Sequence, residues 1–391
     1  MNYVGLDVGL RKSSLHILDS NGKAVKRKEV GGGWGKLIEA VRQIPRPFTL
    51  CYEASCGYGY RYDHFSPLAE RGAVGHPGQL RLIFRAKRKN NRVDAEKLAK
   101  LLYLDAVPQV YVPSVNVRAW RALIEFRQKL LRRRVSLKNQ VRALLRGLGI
   151  VPVRGLWSKK GLAWLAEQKL SSMDDLRRAM MVDDLVQVNA RIRQLESELK
   201  KIADGHPAMA LLQTIPGVGI RTAEAFVAYV ADPRRFSRLN RIGAYLGLVP
   251  CQDATGNTNR LGHITREGPA TVRKLLCEAA WQGIRRDPRT RAYFQQVMHG
   301  DEERKKIAIV ATAHRWARVM LAMLRNGEVY RTREKIEEEP AGLSGPSTPP
   351  LLADCTPALS RKRRDRGGRG RKGGKVQGVA TRGASSLTTP G

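Results

Sequence analysis

Three acids stand where phosphoryl chemistry would need them. Asp7 closes an apolar run in Gly5-Leu6-Asp7-Val8-Gly9, Glu53 closes another over Phe48–Glu53, and Asp94 opens a helical pattern in Asn91-Arg92-Val93-Asp94-Ala95. Acids at neighbouring strand ends, joined by one from a following helix, can converge on a pair of divalent ions. Two such ions about 3.5–4 Å apart stabilise the attacking and leaving oxygens of a phosphoryl displacement. Mg²⁺ is the natural occupant, because it prefers hard carboxylate oxygens. Singly, an Asp after a strand is more often a turn or helix cap.

A second group carries hydroxyls and cations. The stretch from Asp253 to Gly268 reads as a polar loop in which the Thr255 and Thr258 hydroxyls lie among Arg260, His263 and Arg266. That is a plausible setting for a nucleophile and for an anionic transition state. His263 by itself reads as a structural, hydrogen-bonding histidine. Upstream, Ile215-Pro216-Gly217-Val218-Gly219-Ile220-Arg221-Thr222-Ala223 lies between two helical patterns. Gly217 and Gly219 let the backbone turn tightly beside a phosphate, and the next helix offers free N–H groups and Arg221. The pattern reads as a helix-hairpin-helix that contacts nucleic acid.

The charge balance points the same way. The 391 residues include 71 Lys+Arg against 35 Asp+Glu, a net charge of +36. Such an excess repels itself unless a polyanion neutralises it, and nucleic acid does so with release of counterions. A membrane is not the expected partner, since the longest apolar runs, such as Ile307–Ala313, fall short of the roughly 20 residues a span requires. A hydrophobic share of 42% is enough for real cores and excludes a wholly disordered chain. The start reads as an acid-bearing strand rather than a signal peptide. The five cysteines, Cys51, Cys56, Cys251, Cys277 and Cys355, show no zinc spacing and read as free thiols of a cytoplasmic protein.

The elements that would position these groups are legible in outline. Tyr3–Leu6, Ser14–Leu18 and Lys23–Val30 read as strands, with Asp19-Ser20-Asn21-Gly22 as the turn of a hairpin. A helix carrying Leu37, Ile38 and Val41 follows, then the strand Phe48–Glu53 and a helix over 93–104. This order predicts an α/β domain over residues 1–112. Residues 113–205 read as a basic helical and coiled-coil linker. Its first helix, Val117–Leu148, bears Arg132, Arg133, Arg134, Lys138 and Arg142 among ten cations against the single acid Glu125, so it is expected to contact phosphates. Leu185–Ile202 shows a coiled-coil-like spacing of Ile192, Leu195 and Leu199. Residues 206–330 read as a mostly helical third domain completed by helices over 270–284 and 306–324, with His314 and Trp316 as core or flank residues. The basic Gly/Pro/Ser-rich tail 338–391 is expected to be disordered.

Taken together, Asp7 in Gly-Leu-Asp-Val-Gly, Glu53 in Tyr-Glu-Ala-Ser-Cys-Gly-Tyr-Gly, and Arg92-Val93-Asp94-Ala95-Glu96-Lys97-Leu98-Ala99 resemble the DEDD transposases of the IS110 family over residues 1–330. The resemblance implies a RuvC-like, ribonuclease-H-like N-terminal domain, with Asp7, Glu53, Asp94 and the position of Asn91 holding Mg²⁺. It implies a C-terminal transposase domain whose hydroxyl attacks DNA, at the position of Thr255. Implied partners are element-end and target DNA, a bridge RNA that chooses them, and further copies of the chain in a dimer or tetramer that shares its site. The stretch 185–202 is the expected contact between copies. Two positions depart from the family pattern: Asn91 stands for an acid and Thr255 for a serine. Asparagine brings no charge, and the threonine methyl restricts χ1. A catalytically impaired nucleic-acid-binding copy and a hydrolytic RuvC-like junction nuclease are therefore the alternatives.

Overall fold

Strand β1 (Asn2–Asp7) alternates in its burial. Val4 and Leu6 are fully buried on one side, whereas Tyr3 packs on the other. In the computed structural model, which describes residues 1–84, 91–255 and 258–331, β1 is the centre of a five-stranded mixed sheet. Antiparallel β2 (Lys12–Leu18) and then β3 (Ala24–Gly31) lie on one side of it. Parallel β4 (Phe48–Glu53) and then β5 (Arg71–Gly75) lie on the other. The β2–β3 turn is tied by Asp19, whose Oδ1 accepts from the amides of Asn21 and Lys23 at 2.8 and 2.9 Å.

Both faces of the sheet are covered. Helix α1 (Trp34–Arg42) buries Leu37, Ile38 and Val41 against the Val4/Leu6 face, beside α2 (Tyr58–Phe65). Helices α3 (Pro77–Ile83) and α4 (Asn91–Tyr103) close the other face through Leu80, Leu98, Leu101 and Leu102, which meet Cys51 and Ala73. Strand β5 and helices α2 and α3 have no counterpart in the sequence reading. Arg71–Gly75 has only two apolar residues, Ala73 and Val74, between two glycines, too short a run to show a period.

Two 33-residue helices follow, α5 (Val115–Gly147) and α7 (Ser172–Asp204), joined through α6 (Lys159–Glu167). They run antiparallel, because Arg127 reaches Glu196 (Nε to Oε1, 2.7 Å) while Arg133 reaches Asp184 (3.3 Å). Leu185, Val188, Ile192, Leu195 and Leu199 are buried in one core with Trp120, Ile124, Leu130 and Leu137. The stripe expected to meet another copy is thus packed on α5 within the chain, while Val186 and Ile202 of the same stretch stay exposed. The spacing was real; a period does not say whose helix fills it.

The same core continues into α8 (Pro207–Gln213), α9 (Ile220–Val230) and α10 (Arg241–Tyr245), and into α11 (Ala270–Arg286), α12 (Pro288–Met298) and α13 (Lys305–Asn326). Buried Trp120 Nε1 donates to Glu224 Oε1 at 3.1 Å, and Arg121 donates to the carbonyls of Ala228 and Tyr229, so α5 is locked to α9. Trp316 is 2% exposed and donates to Thr290 Oγ1. The stretch Glu302–Asn326 is long and apolar enough to cross a bilayer by length and composition, but half of it is buried within the fold, where α13 serves as a core helix. The described residues belong to one compact unit, and the tail 338–391 lies outside them.

The stretch read as a polar loop is a β-hairpin, β6 (Pro250–Thr255) and β7 (Thr258–Ile264). Every described residue from Pro250 to His263 is exposed. With neither face buried, the hairpin has no apolar alternation to betray it.

Candidate active site and nucleic-acid interface

Parallel pairing of β1 with β4 places Leu6 opposite Tyr52, so Asp7 and Glu53 end adjacent strands one step further on. Both carry the parity of Gly5 and Cys51, the residues beneath α4, and not that of Leu6 and Tyr52, which enter the opposite core. Helix α4 runs antiparallel to β1: Tyr103 meets Tyr3 edge-on at 5.3 Å, and Ala95 and Ala99 sit on Gly5. Its first turn, which holds Asp94, is therefore carried toward the end of β1 that bears Asp7. Asp94 pairs with Lys97 at 3.5 Å. Among the described residues no three His, Cys, Asp or Glu side chains come close enough together to hold one metal ion. The side chain of Asn91 lies outside the described residues.

In kind, the donors suit a hard cation. Mg²⁺ keeps several waters and is held by one or two carboxylates plus substrate phosphates, which the strand-end pair can supply without a third ligand. Two residues beyond Asp94, Glu96 is held below the usual carboxylate range, first by a hydrogen bond from Lys100, and it also pairs with Arg27 at 3.2 Å. Glu96 thus belongs to the framework of α4.

Behind Glu53 the chain is braced by a residue that the sequence reading passed over. Arg61 is 1% exposed, stacks on Trp34 and Tyr52, and donates to the Cys56 carbonyl at 3.0 Å and to Ser55 Oγ at 2.8 Å. A buried guanidinium is costly unless it is hydrogen-bonded, and here its bonds hold the loop that leaves Glu53. Only its type in an otherwise aromatic helix, Tyr58-Gly59-Tyr60-Arg61-Tyr62, could have flagged it.

Thr255 stands at the tip of the exposed hairpin. Its Oγ1 is 3.3 Å from Thr258 Oγ1, and Thr258 also donates to the Thr255 carbonyl at 2.8 Å. Gly256 and Asn257 lie outside the described residues. Arg260 is exposed on β7 and Arg266 at the foot of the hairpin. Arg273 braces that foot by donating to the carbonyls of Leu246 and Gly268. His263 is exposed and its Nδ1 is 2.9 Å from the Ile264 carbonyl.

The Gly217 turn has an internal explanation. Its φ is +99°, and a Cβ there would lie 2.7 Å from the Gly283 amide nitrogen on α11. Arg221 bonds Glu224 at 2.8 Å and the Glu196 carbonyl at 3.0 Å. The described structure therefore spends Gly217 and Arg221 on packing, and leaves Gly219, the exposed residue that precedes α9, as the open part of the motif.

The cations of α5 divide into two sets. Arg127 and Arg133 are paired with acids of α7. Arg132 is exposed, and Arg134, Lys138 and Arg142 have no acid partner among the described residues. Lys138 and Arg142 lie over the ring of Trp157 at 5.2 and 5.5 Å.

Known proteins carry the same two blocks in the same order. A family model described as "Transposase" matches residues 4–150, and one described as "Transposase IS116/IS110/IS902 family" matches residues 209–295. A putative transposase of Sinorhizobium fredii is 30% identical over 292 residues, 71% of each chain. The chain belongs to the IS110 family of transposases. Further relatives include a probable family 20 transposase of Pseudomonas aeruginosa, 27% identical over 85% of this chain and 99% of its own. The transposase for insertion sequence element IS1111A of Coxiella burnetii is 29% identical over 84% of this chain and 91% of its own. Within this family member, Asp7, Glu53 and Asp94 fall in the first matched block and Thr255 in the second.

Proposed function

We propose that this transposase cuts and joins DNA at the ends of its own insertion sequence by Mg²⁺-dependent transesterification, with Thr255 as nucleophile. The observation that carries the reading is the register of β1 against β4, which sets Asp7 and Glu53 side by side under the helix that bears Asp94. The strand order β3-β2-β1-β4-β5, with β2 antiparallel, supports a ribonuclease-H-like, RuvC-like domain. The turn from Thr214 to Gly219 supports a helix-hairpin-helix.

Asp7 and Glu53, with Asp94 turned from Lys97, would hold the ion. Bound there, Mg²⁺ supplies charge stabilisation to the oxygens of the displacement. The chain's own part is placement. The Thr255 oxygen bonds phosphorus, its proton is lost, the bond from phosphorus to one sugar oxygen breaks, and that oxygen leaves as a hydroxyl. The number of phosphodiester bonds is conserved. An exposed hairpin tip suits delivery of the hydroxyl to DNA held elsewhere, including by a second copy, so a dimer or tetramer sharing its site fits the reading. A bridge RNA on α5 and a cytoplasmic location complete it.

The test is a denaturing gel of protein incubated with element-end DNA, the element's structured RNA and Mg²⁺. Thr255→Ser should raise the covalent adduct, and Thr255→Ala should abolish it. An adduct surviving in Thr255→Ala would move the nucleophile, with Thr258 next in line. No adduct in any variant, Asn91→Asp combined with Thr255→Ser included, would favour the binding-only copy, whose specific basis is the pair of departures at Asn91 and Thr255. Cleavage without any adduct would favour the junction nuclease.

A further inference from the structure

Four cations of α5 recur at one-turn spacing: Arg134, Lys138, Arg142 and Arg146. Residues four apart on a helix stand on one face, about 6 Å along its axis, on the order of the distance between successive phosphates of a strand. Like charges at this spacing destabilise a helix, so the column needs a reason. Elsewhere on α5 the chain offsets its cations: Arg127 meets Glu196, Arg133 meets Asp184, and Arg121 is bonded to two carbonyls. Along this column none of the four has an acid partner among the described residues; Arg142 bonds only Asn139, at 3.3 Å. Arg146 stands at the C-terminal end of the helix dipole, and Lys138 and Arg142 lie over the ring of Trp157.

The column ends in a built concavity. After α5 the chain folds back through Val151–Gly155 and lays Trp157 against Lys138 and Arg142. The hollow there, about 360 Å³, is lined by Arg142, Arg146, Arg154 and Trp157 with no acid in its wall. Trp157 Nε1 is buried there without a hydrogen-bond partner. Grooves that follow a single polynucleotide strand combine a positively charged channel along the backbone with aromatic side chains.

We infer that Arg134, Lys138, Arg142 and Arg146, with Arg154 from the facing loop, form a track that binds consecutive phosphates of one polynucleotide strand as it passes Trp157. This deepens the nucleic-acid-binding part of the proposed function and rests on it, but it is independent of the acids and of Thr255. It also reassigns α5: Arg133, paired with Asp184, is not part of the track. Burial, with Arg134 and Arg142, holds Lys138 below its ordinary value.

The test needs no cleavage. The full chain is titrated, without Mg²⁺, with single-stranded RNA and DNA of equal length at several salt concentrations. Lys200→Ala, an exposed cation on α7, is the charge control. Arg142→Ala, Arg146→Ala and Arg154→Ala should each flatten the log–log salt slope by about 0.7, the value of one lost phosphate contact on a single strand. Each should also weaken binding severalfold more than Lys200→Ala. Binding should quench tryptophan emission in the parent chain and less in Trp157→Phe, while unchanged melting curves show that the variants fold. Whichever oligonucleotide shows the larger loss in the variants is the strand the track serves. Slopes and affinities equal to the control's, for both oligonucleotides, overturn the track. So does inorganic phosphate alone giving the Trp157 quench while the oligonucleotide slopes stay fixed, since that would mark a site for a free anion. Because no adduct is scored, failure here leaves the transesterification reading standing, and failure of that reading leaves the track testable.

Discussion

Gly5 lies directly beneath Ala95: a Cβ at Gly5 would stand 2.1 Å from the Ala95 carbonyl oxygen and 2.4 Å from the Ala99 amide. Helix α4 therefore rests on the bare backbone of β1, and this contact sets the height of Asp94 over the strand end that carries Asp7. Gly5→Ala forces backbone against backbone, with no flexible side chain to yield. The expected loss is about 1–3 kcal/mol, as for an overpacked core, measured by denaturant unfolding, and Mg²⁺-dependent cleavage should fall more than the loss of folded protein explains. A Gly5→Ala chain of parental stability and activity would show that α4 can lift without consequence.

Removing either strand-end carboxylate should remove metal-dependent chemistry. Asp7→Asn and Glu53→Gln are each expected to slow strand cleavage by about 10²–10³-fold, the worth of several kcal/mol of charge stabilisation, with oligonucleotide affinity little changed. Asn91→Asp, one helical turn before Asp94, should tighten Mg²⁺ binding in calorimetric titration, because a further negative charge attracts a dication. Equal Mg²⁺ affinity in the parent chain and all three variants would place the metal elsewhere.

Three histidines should make the fold acid-sensitive. His16, His206 and His314 are each held below the ordinary imidazole value, chiefly by burial, with Arg27 adding to His16 and Arg318 to His314. Their neutral forms are favoured in the folded chain, so below about pH 6.5 the unfolded chain binds more protons. Stability is then full above that pH and declines as pH falls from it toward the depressed folded values. The slope is at most about 1.4 kcal/mol per pH unit for each group. Denaturant midpoints from pH 8 to pH 5 measure this, and His16→Gln should flatten the decline. A midpoint independent of pH over that range would contradict the assignment.

The thiols should react in order of exposure. Burial pushes Cys51 up to about 12 and leaves it fully covered, whereas Cys56 and Cys251 are exposed. The thiolate is the reactive form, so an alkylating reagent should label Cys56 and Cys251 in the native chain and Cys51 only after unfolding, as read by peptide mass spectrometry. Cys56 lies three residues beyond Glu53, and DNA bound at the acids should slow its labelling. Labelling of Cys51 at the rate of Cys56 would show that the sheet opens beneath α4.

The sequence by itself determined whatever depends on a residue's own neighbours along the chain. Alternation in Tyr3–Leu6, the Asp19–Gly22 turn and the 3.6-residue stripes of α1, α5 and α7 are local signatures of burial. The acids at strand ends and the motif around Asp94 were legible because they interrupt a basic chain. Tertiary structure alone decided what depends on partners far away in the chain. Asp184 and Glu196 come from 51 and 69 residues downstream to neutralise Arg133 and Arg127, so the run of cations on α5 looks uniform until α7 folds against it. The stripe Ile192, Leu195 and Leu199 shows a period, but only packing shows that α5 fills it. Asp7 stands beside Glu53 through a parallel register, which no short turn dictates, and β6–β7 buries neither face and so leaves no period to read. Periodicity reports that a face is buried; only contact reports against what.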